Sequence, residues 1–555
     1  MATRFLLDSP SPIRESLRGL ALTHAGDLAV SLNPLFVYGT RRAPERTVAL
    51  VSGGGAGHEP LHAGFVGVGG LDAACPGEIF TSPHNRQIFD ASKKVALPGG
   101  VLQIVKNYTG DRINFAIAAE RLRAEGLSVA SVLVDDDLGS EREGSDVGRR
   151  GTGATVVVEK ILGAAADVGY SLSQLESLGN AVVAASRTLA VANAAHSTPA
   201  TGEPAFDVTP GNLEYGVGIH GETAAQSIAQ PPLEALVTRM VGELVAAAPS
   251  DRYLLFVSGL GATTALELQQ IVAVAQRSLV AIDREVVSAV AGTYISALDM
   301  AGFSITLTGV DDAWLPFWFA EHETSLPTPL PASAVILEDA ESASVEGAAV
   351  PDGFLSRLNE VFSSRRDALN ELDQKAGDGD MGSNLASGMA TAVRNYVPAD
   401  GTLSADLRAI ADAFLDAVGG SSGPLFGLVF QSLAASTASA SDLPAAIRAG
   451  LTEGLTAVKR VGGAQPGDRT LIDALHPAVQ STFDAAAVRA AIDGASHTRE
   501  LIARRGRASY VGARAVGHPD PGAVAVALLL TALLEHVSGD DVTSLWAAAD
   551  AVVAS

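Results

Sequence analysis

Thr47-Val48-Ala49-Leu50-Val51-Ser52-Gly53-Gly54-Gly55-Ala56-Gly57-His58-Glu59-Pro60 passes from β-branched and aliphatic residues straight into glycines and then a histidine. A short apolar run cut off by glycine reads as a buried strand whose end delivers a functional loop. Working outward, the pairing returns: residues 101–105 precede Gly110 and residues 253–257 precede Gly259, each with helical sequence beyond. Strands alternating with helices over residues 47–307 predict an α/β domain. Residues 321–351 then change character. Pro327, Pro329 and Pro331 lead into Ser, Ala and Glu without period, which predicts a linker or surface crossover, drawn at 326–350. Beyond it Phe354, Leu358, Val361, Phe362, Leu369 and Leu372 fall at helical spacing, so residues 351–555 are expected to form an all-α domain, with residues 1–325 as the first.

At 555 residues the chain exceeds what one core supports, which agrees with two or more domains. Asp and Glu number 62 against 38 Lys and Arg, and the resulting formal charge of −24 repels nucleic acid and anionic membrane faces. A small molecule is the expected partner, and any phosphate must be met by backbone amides and metal. Cys75 is the one cysteine. It excludes an intramolecular disulfide framework, fits a reducing cytoplasm, and reads as buried filler. Residues 1–16 mix Arg4, Asp8, Arg14 and Glu15 with Pro10 and Pro12, without the apolar stretch of a signal peptide. Residues 523–534 are strongly apolar but reach about half of the ~20 residues a membrane span needs, and predict a buried core helix.

The second domain carries Leu372-Asp373-Gln374-Lys375-Ala376-Gly377-Asp378-Gly379-Asp380-Met381-Gly382-Ser383-Asn384, with three carboxylates in eight residues where an amphipathic helix ends. Carboxylates so crowded either hold a hard cation such as Mg²⁺, which leaves room for phosphate oxygens, or form a solvated acidic turn. A calcium EF-hand is excluded: counted from Asp378, Gly382 falls at the fifth position and Met389 where a bidentate Glu belongs. Gly419-Gly420-Ser421-Ser422-Gly423-Pro424 follows one helix and opens another, with Pro424 suited to a first helical position. It reads as a phosphate cradle of backbone amides and hydroxyls or as a tight αα-corner. No Gly-Lys-Ser/Thr occurs, so a Walker A loop is excluded. Residues 462–470 and 506–522 are turn-rich loops that connect helices or border a site.

In the first domain, four glycines bring bare backbone near something small, with His58 beside it. Lys106-Asn107-Tyr108-Thr109-Gly110-Asp111 leaves a second strand with one positive and one negative side chain. Gly216-Val217-Gly218-Ile219-His220-Gly221-Glu222 matches G-x-G-x-x-G, but Pro210-Gly211 and polar residues stand before it where a buried strand is required, so the dinucleotide reading is weak. Each histidine alone has a structural reading. Three such loops in one α/β domain point to a compact polar pocket.

These stretches resemble the single-chain, ATP-dependent dihydroxyacetone kinases. The motifs at 53–60, 106–111, 218–222, 377–382, 419–423 and 520–522 stand in that family's order across nearly the whole chain. The resemblance implies an N-terminal α/β domain of two subdomains with mixed sheets and a C-terminal all-α barrel of antiparallel helices. It implies that His220 holds the ketone covalently as a hemiaminal, and neutral imidazole is nucleophilic enough to do so. By the same resemblance Gly55, Ala56, Gly57, His58, Lys106 and Asp111 surround the substrate hydroxyls, with His58 and Asp111 helping to deprotonate the attacking one. Asp373, Asp378 and Asp380 are implied to hold two Mg²⁺ ions that bridge the phosphates of ATP. Met381, Gly382, Ser383, Asn384, Ser421, Ser422, Gly463, Thr470, Arg514, Asp520, Pro521 and Gly522 are implied to line the nucleotide site. A homodimer is implied as well, one chain's nucleotide domain lying over the other's ketone domain.

After Glu222 the family commonly continues with Pro-Gly or Ala-Gly, whereas this chain has Thr223-Ala224-Ala225. A glycine lost beside His220 reshapes the pocket and admits erythrulose beside dihydroxyacetone. Two other functions remain open at this point: a ketone-binding regulator without phosphoryl transfer, which would not need Asp378 and Asp380, and a lyase that cyclises FAD at the same nucleotide site. A phosphotransferase-system route is disfavoured by the fusion of both domains.

Overall fold

The computed structural model describes residues 6, 12–141, 148–199, 201–222, 224–335, 353–376, 378–396, 402–504, 515–539 and 541–555. The chain divides into two compact units, Met1–Leu337 and Glu338–Ser555.

The first unit holds two six-stranded sheets. One contains β1 (Leu28–Leu32), β2 (Leu35–Gly39), β3 (Ala49–Ala56), β4 (Ala73–Ile79), β5 (Val101–Lys106) and β6 (Val129–Val134), in the order β1-β2-β4-β3-β5-β6. Its β4-β3-β5-β6 half is parallel and its β1-β2-β4 edge antiparallel. The other contains β7 (Ser186–Ala194), β8 (Asn212–Tyr215), β9 (Gln226–Ala229), β10 (Arg252–Gly259), β11 (Glu285–Gly292) and β12 (Ala301–Gly309), in the order β11-β10-β12-β7-β8-β9. Only β10–β11 is parallel there. Both sheets are mixed, as expected of connections that alternate hairpins with helical crossovers.

Two local differences from the sequence reading matter for the pocket. The glycines after Val51 are not a turn: β3 continues through them to Ala56 and is buried along its whole length. It can do so because a Cβ at Gly53 would lie 2.5 Å from the Cys75 carbonyl oxygen on β4, so only a strand without side chains fits this close. A strand, β8, does directly precede the Gly216–His220 segment, but it is antiparallel to both neighbours, and no helix follows as a dinucleotide-binding βαβ unit demands. Cys75 is fully buried and its thiol is pushed up by burial. Leu330 and Pro331, drawn at the start of the linker, lie against β11, where the Ser288 hydroxyl donates to the Leu330 carbonyl at 2.8 Å; residues 336–350 of that stretch fall outside the described residues.

The second unit is helical throughout its described residues. The six apolar positions at helical spacing from Phe354 to Leu372 are at most 2% exposed, although the run is split at Arg365 into helices Phe354–Ser364 and Arg366–Ala376. Helix Pro521–Ser538 is capped by Asp520, whose carboxylate accepts the Ala523 N–H at 2.8 Å, and ends at Gly539 with φ +66. By length and composition it could cross a membrane, yet 78% of it is buried inside the unit. A helix apolar on every side belongs in such a core.

Candidate active sites

In the first unit three strand ends and one loop build a single pocket. β3 runs on into Gly57, whose φ of +100 turns the chain to present His58. β5 ends on Lys106, and the first turn of helix Thr109–Ala124 carries Asp111. The segment after β8 brings in His220, so that the two imidazole Nε2 atoms lie 2.9 Å apart. His58 Nδ1 lies 2.7 Å from the Ser296 carbonyl, which can only accept, so the ring hydrogen sits on Nδ1. The hydrogen between the rings therefore belongs to His220, whose own Nδ1 lies 3.1 Å from Glu222 Oε1. Phe80 and Tyr108 enclose His220 edge-on, with ring centroids 5.6 and 4.5 Å away.

Burial sets the electrostatics. His58 is held well below its ordinary range by burial, with the Lys106 charge adding to the effect. Burial also lowers Lys106, against the pull of Asp111 and Glu159. Burial alone would raise Glu222, but hydrogen bonding and charge from His220, helped by Arg150, outweigh it and hold the carboxyl down at about 2. Lys106 Nζ and Asp111 Oδ1 have no hydrogen-bond partner among the described residues. Buried polar atoms left so are costly, and their convergence marks a place for a polar ligand. Gly55 and Ala56 are packed on the Phe80–Thr81 backbone, the Ala56 carbonyl accepting the Phe80 N–H at 2.9 Å.

In the second unit, Asp373, Asp378 and Asp380 bring one carboxylate oxygen each to within 4.8 Å of the others. Asp373 is buried, and its Oδ2 accepts the N–H groups of Gly379, Asp380 and Met381 at 3.0, 2.9 and 3.2 Å, which folds the acidic turn back onto the helix end. Asp378 and Asp380 are exposed. Hard oxygen donors with open sides fit Mg²⁺. The three acids border a cavity of about 220 Å³ with Met381, Asn384, Ser421, Ser422, Thr470, Asp520, Pro521 and Gly522. Burial raises Asp520 to about 7, against its Ala523 hydrogen bond and the Arg469 charge.

Three expected nucleotide residues stand back from this cavity. Ser383 is tied to Asn370 through its hydroxyl and its N–H, Gly382 packs on the Arg366 carbonyl, and Gly463 ends helix Leu443–Gly462 with φ +65. Arg514 lies outside the described residues, as does Thr223. Helix Ser422–Thr437 begins two residues before Pro424, which therefore occupies its third position. Sequence reasoning passed over Arg469, which lines the cavity and is 1% exposed. Its guanidinium is fixed on the carbonyls of Thr498, Ala515 and His518, while Nη1 has no partner among the described residues. In a turn-rich loop an arginine reads as solvated, and only the fold shows it turned inward. Glu222 was visible as the neighbour of His220 but carried no role until its contact with Nδ1 was seen.

The Dak1 domain family matches residues 18–326 and the DAK2 domain family residues 375–535. Triokinase/FMN cyclase of Homo sapiens is 36% identical over 527 residues, covering 88% of this chain and 91% of that protein. L-erythrulose 1-kinase of Mycolicibacterium smegmatis is 33% identical over 572 residues, covering 96% and 100%. Among solved structures, the dihydroxyacetone kinase of C. freundii in complex with AMP-PNP and Mg²⁺ is 30% identical, covers 96% of this chain and 100% of its own, and superposes with a TM-score of 0.61. The chain belongs to the dihydroxyacetone kinase family, with a Dak1 and a DAK2 domain on one polypeptide.

Proposed function

We propose that the chain is an ATP-dependent, Mg²⁺-requiring kinase that phosphorylates a terminal hydroxyl of a small ketose, dihydroxyacetone or erythrulose. The observation that carries the reading is the presence in one chain of a caged histidine pair and a three-aspartate cluster of cation-binding size. Its substrate class is that of the relatives, one named for L-erythrulose and one for dihydroxyacetone.

The contacts support the following steps. With hydrogens on both ring nitrogens and Glu222 as counter-charge, His220 passes the Nε2 proton to His58 Nε2, whose Nδ1 already bears its own; burial disfavours the charge on His58, so that ring holds it only in passing. The freed lone pair adds to the carbonyl carbon, and His58 returns the proton to the carbonyl oxygen, giving a hemiaminal hydroxyl. The alkylated imidazolium keeps its Nδ1–H on Glu222, whose depressed pKa keeps it a carboxylate counter-charge. Asp111 then takes the proton of the attacking hydroxyl. Asp373, Asp378 and Asp380 would hold Mg²⁺, which offsets phosphate charge as it develops. Ser421, Ser422 and the N-termini of helices Ser422–Thr437 and Pro521–Ser538 would meet the nucleotide.

ADP release in Mg-ATP, coupled to a reporter and run with dihydroxyacetone and with erythrulose, tests the proposal; zero turnover with both refutes it. A second reading is FAD cyclisation at the same nucleotide site, favoured by the FMN cyclase in the name of the human relative; manganese-dependent release of AMP from FAD would support it. We further propose the division 1–325, 326–350 and 351–555 as ketone domain, linker and nucleotide domain. A closed antiparallel barrel for the last is supported by helix Phe354–Ser364 touching both helix Met381–Arg394 and helix Pro521–Ser538. A homodimer is the assembly proposed, with sedimentation as its test.

A further inference from the structure

His62 has no place in the chemistry above, yet it is 5% exposed and one of its nitrogens has no hydrogen-bond partner among the described residues. Its Nδ1 lies 2.6 Å from Glu159 Oε1 and 3.0 Å from the Ser52 hydroxyl. Ser52 donates its own hydrogen to the Ile104 carbonyl at 2.8 Å. Both neighbours of Nδ1 therefore accept, so the ring hydrogen sits on Nδ1 and Nε2 is left with its lone pair. Burial, the largest influence, lowers the readiness of His62 to take a second proton, against the pull of Glu159.

That lone pair has no partner among the described residues, and neither does Lys106 Nζ. The two atoms converge over Gly54, where a Cβ would lie 2.5 Å from Nζ and 3.2 Å from Nε2. A donor and an acceptor lying beside the same glycine match a hydroxyl group, which accepts one hydrogen and donates another. A phosphate or carboxylate oxygen would set lone pair against lone pair at the imidazole, and a metal ion would face the ammonium. Gly54, Gly55 and His62, though not Lys106, also line a cavity of about 570 Å³ beside helix Pro12–Thr23. A purely structural His62–Glu159 pair would tie β3's exit to helix Ala154–Asp167 without stranding a buried imidazole nitrogen, which is costly.

We propose that His62 Nε2 and Lys106 Nζ form a hydroxyl slot over Gly54 that grips one hydroxyl of the bound ketose, with Glu159 and Ser52 fixing the imidazole tautomer the slot requires. The slot rests on the ketose reading given above.

Capture of dihydroxyacetone and of hydroxyacetone by the full-length chain, titrated and followed by intact mass, tests it. Hydroxyacetone has a single hydroxyl, so it fills the slot or another contact but never both. The wild type is expected to prefer dihydroxyacetone, and removing the slot to erase that preference by roughly tenfold, the value of one hydrogen bond to a charged site. Two variants guard against misfolding: His62→Asn keeps an N–H for Glu159 and Ser52, and His62→Phe keeps the ring's bulk. Capture of both ketones with the preference erased supports the slot. An unchanged preference in both variants, or loss of all capture in both, overturns it and marks the pair as structural. Wild-type protein that captures neither ketone overturns the ketose reading itself, and the slot falls with it.

Discussion

In the first unit the groups that would meet the ketose are built into the protein: His58, Lys106 and Asp111 are at most 2% exposed, and their neighbours are backbone carbonyls and other buried side chains. In the second, Asp378 and Asp380 are exposed, Asp380 Oδ1 accepting the Asn384 side-chain amide at 2.9 Å, while Asp373 is buried and accepts three backbone N–H groups. The first pocket is preorganised at the expense of buried charge. The second leaves its acids able to adjust around an ion and a nucleotide that arrive together. Substitutions should therefore trade off differently, costing stability and binding in the first and, at the two exposed acids, activity alone in the second.

The largest expected effect is at Asp378. Asp378→Ala should lower phosphorylation by about 10³-fold, the scale on which a misplaced metal raises a barrier by ~4 kcal/mol. The thermal midpoint and ketone capture should stay at wild-type values, since the side chain is exposed. Full activity in this variant would disprove the metal assignment. His220→Ala is the counterpart: it should abolish the ketone adduct seen by mass spectrometry and leave Mg-nucleotide affinity within about twofold by calorimetry. An adduct that persists would move the covalent site elsewhere.

How much of this contrast was legible beforehand depended on what the residues signal locally. The Asp373, Asp378, Asp380 cluster, the glycine run and the loop histidines are dense in unusual residues, so both clusters stand out in the chain alone. The strand continuing through Gly53–Ala56 was not legible, because glycine is the strongest turn signal and only the close approach of Cys75 explains a strand there. Glu159 sits beside Lys160 in a mostly apolar helical stretch from Ala154, and charges in such a stretch hint at buried partners. Which partner cannot be read from spacing, since His62 is 97 residues away. Arg469 is hidden for the converse reason: polar residues in loops are usually solvated, and its inward turn is set by three carbonyls from two later segments.

A middle-sized effect is expected at Gly54. In Gly54→Ala the added methyl would press on Lys106 Nζ and Cε at 2.5 and 2.9 Å, and the lysine must swing away from the pocket. KM for the ketose should rise about tenfold while KM for ATP stays unchanged, an asymmetry that overpacking costs of ~1–3 kcal/mol allow. Equal rises in both constants would mean that the strand, not the pocket, had been disturbed.

The smallest effect separates the two units by pH. His62 is lowered by burial in the fold, despite Glu159 and Asp111, with Lys106 lowering it further. The unfolded chain therefore binds a proton near 6.5 that the folded chain refuses. Its contribution to stability is complete above that value and is lost as pH falls through it towards the folded pKa. Asp137, buried and held up at about 7 against the opposing charge of Arg150, works the other way in the same unit, so the wild-type profile alone is ambiguous. The histidine's share is the difference between wild type and His62→Phe, which has nothing to titrate at that position. Scanning calorimetry should show the wild type losing more of its unfolding temperature than the variant between pH 7.5 and 5.5. A constant gap across that window would mean that His62 is no harder to protonate in the fold than in the open chain, and a pocket able to charge so freely would not be the dry, preorganised one contrasted here with the solvent-facing acids.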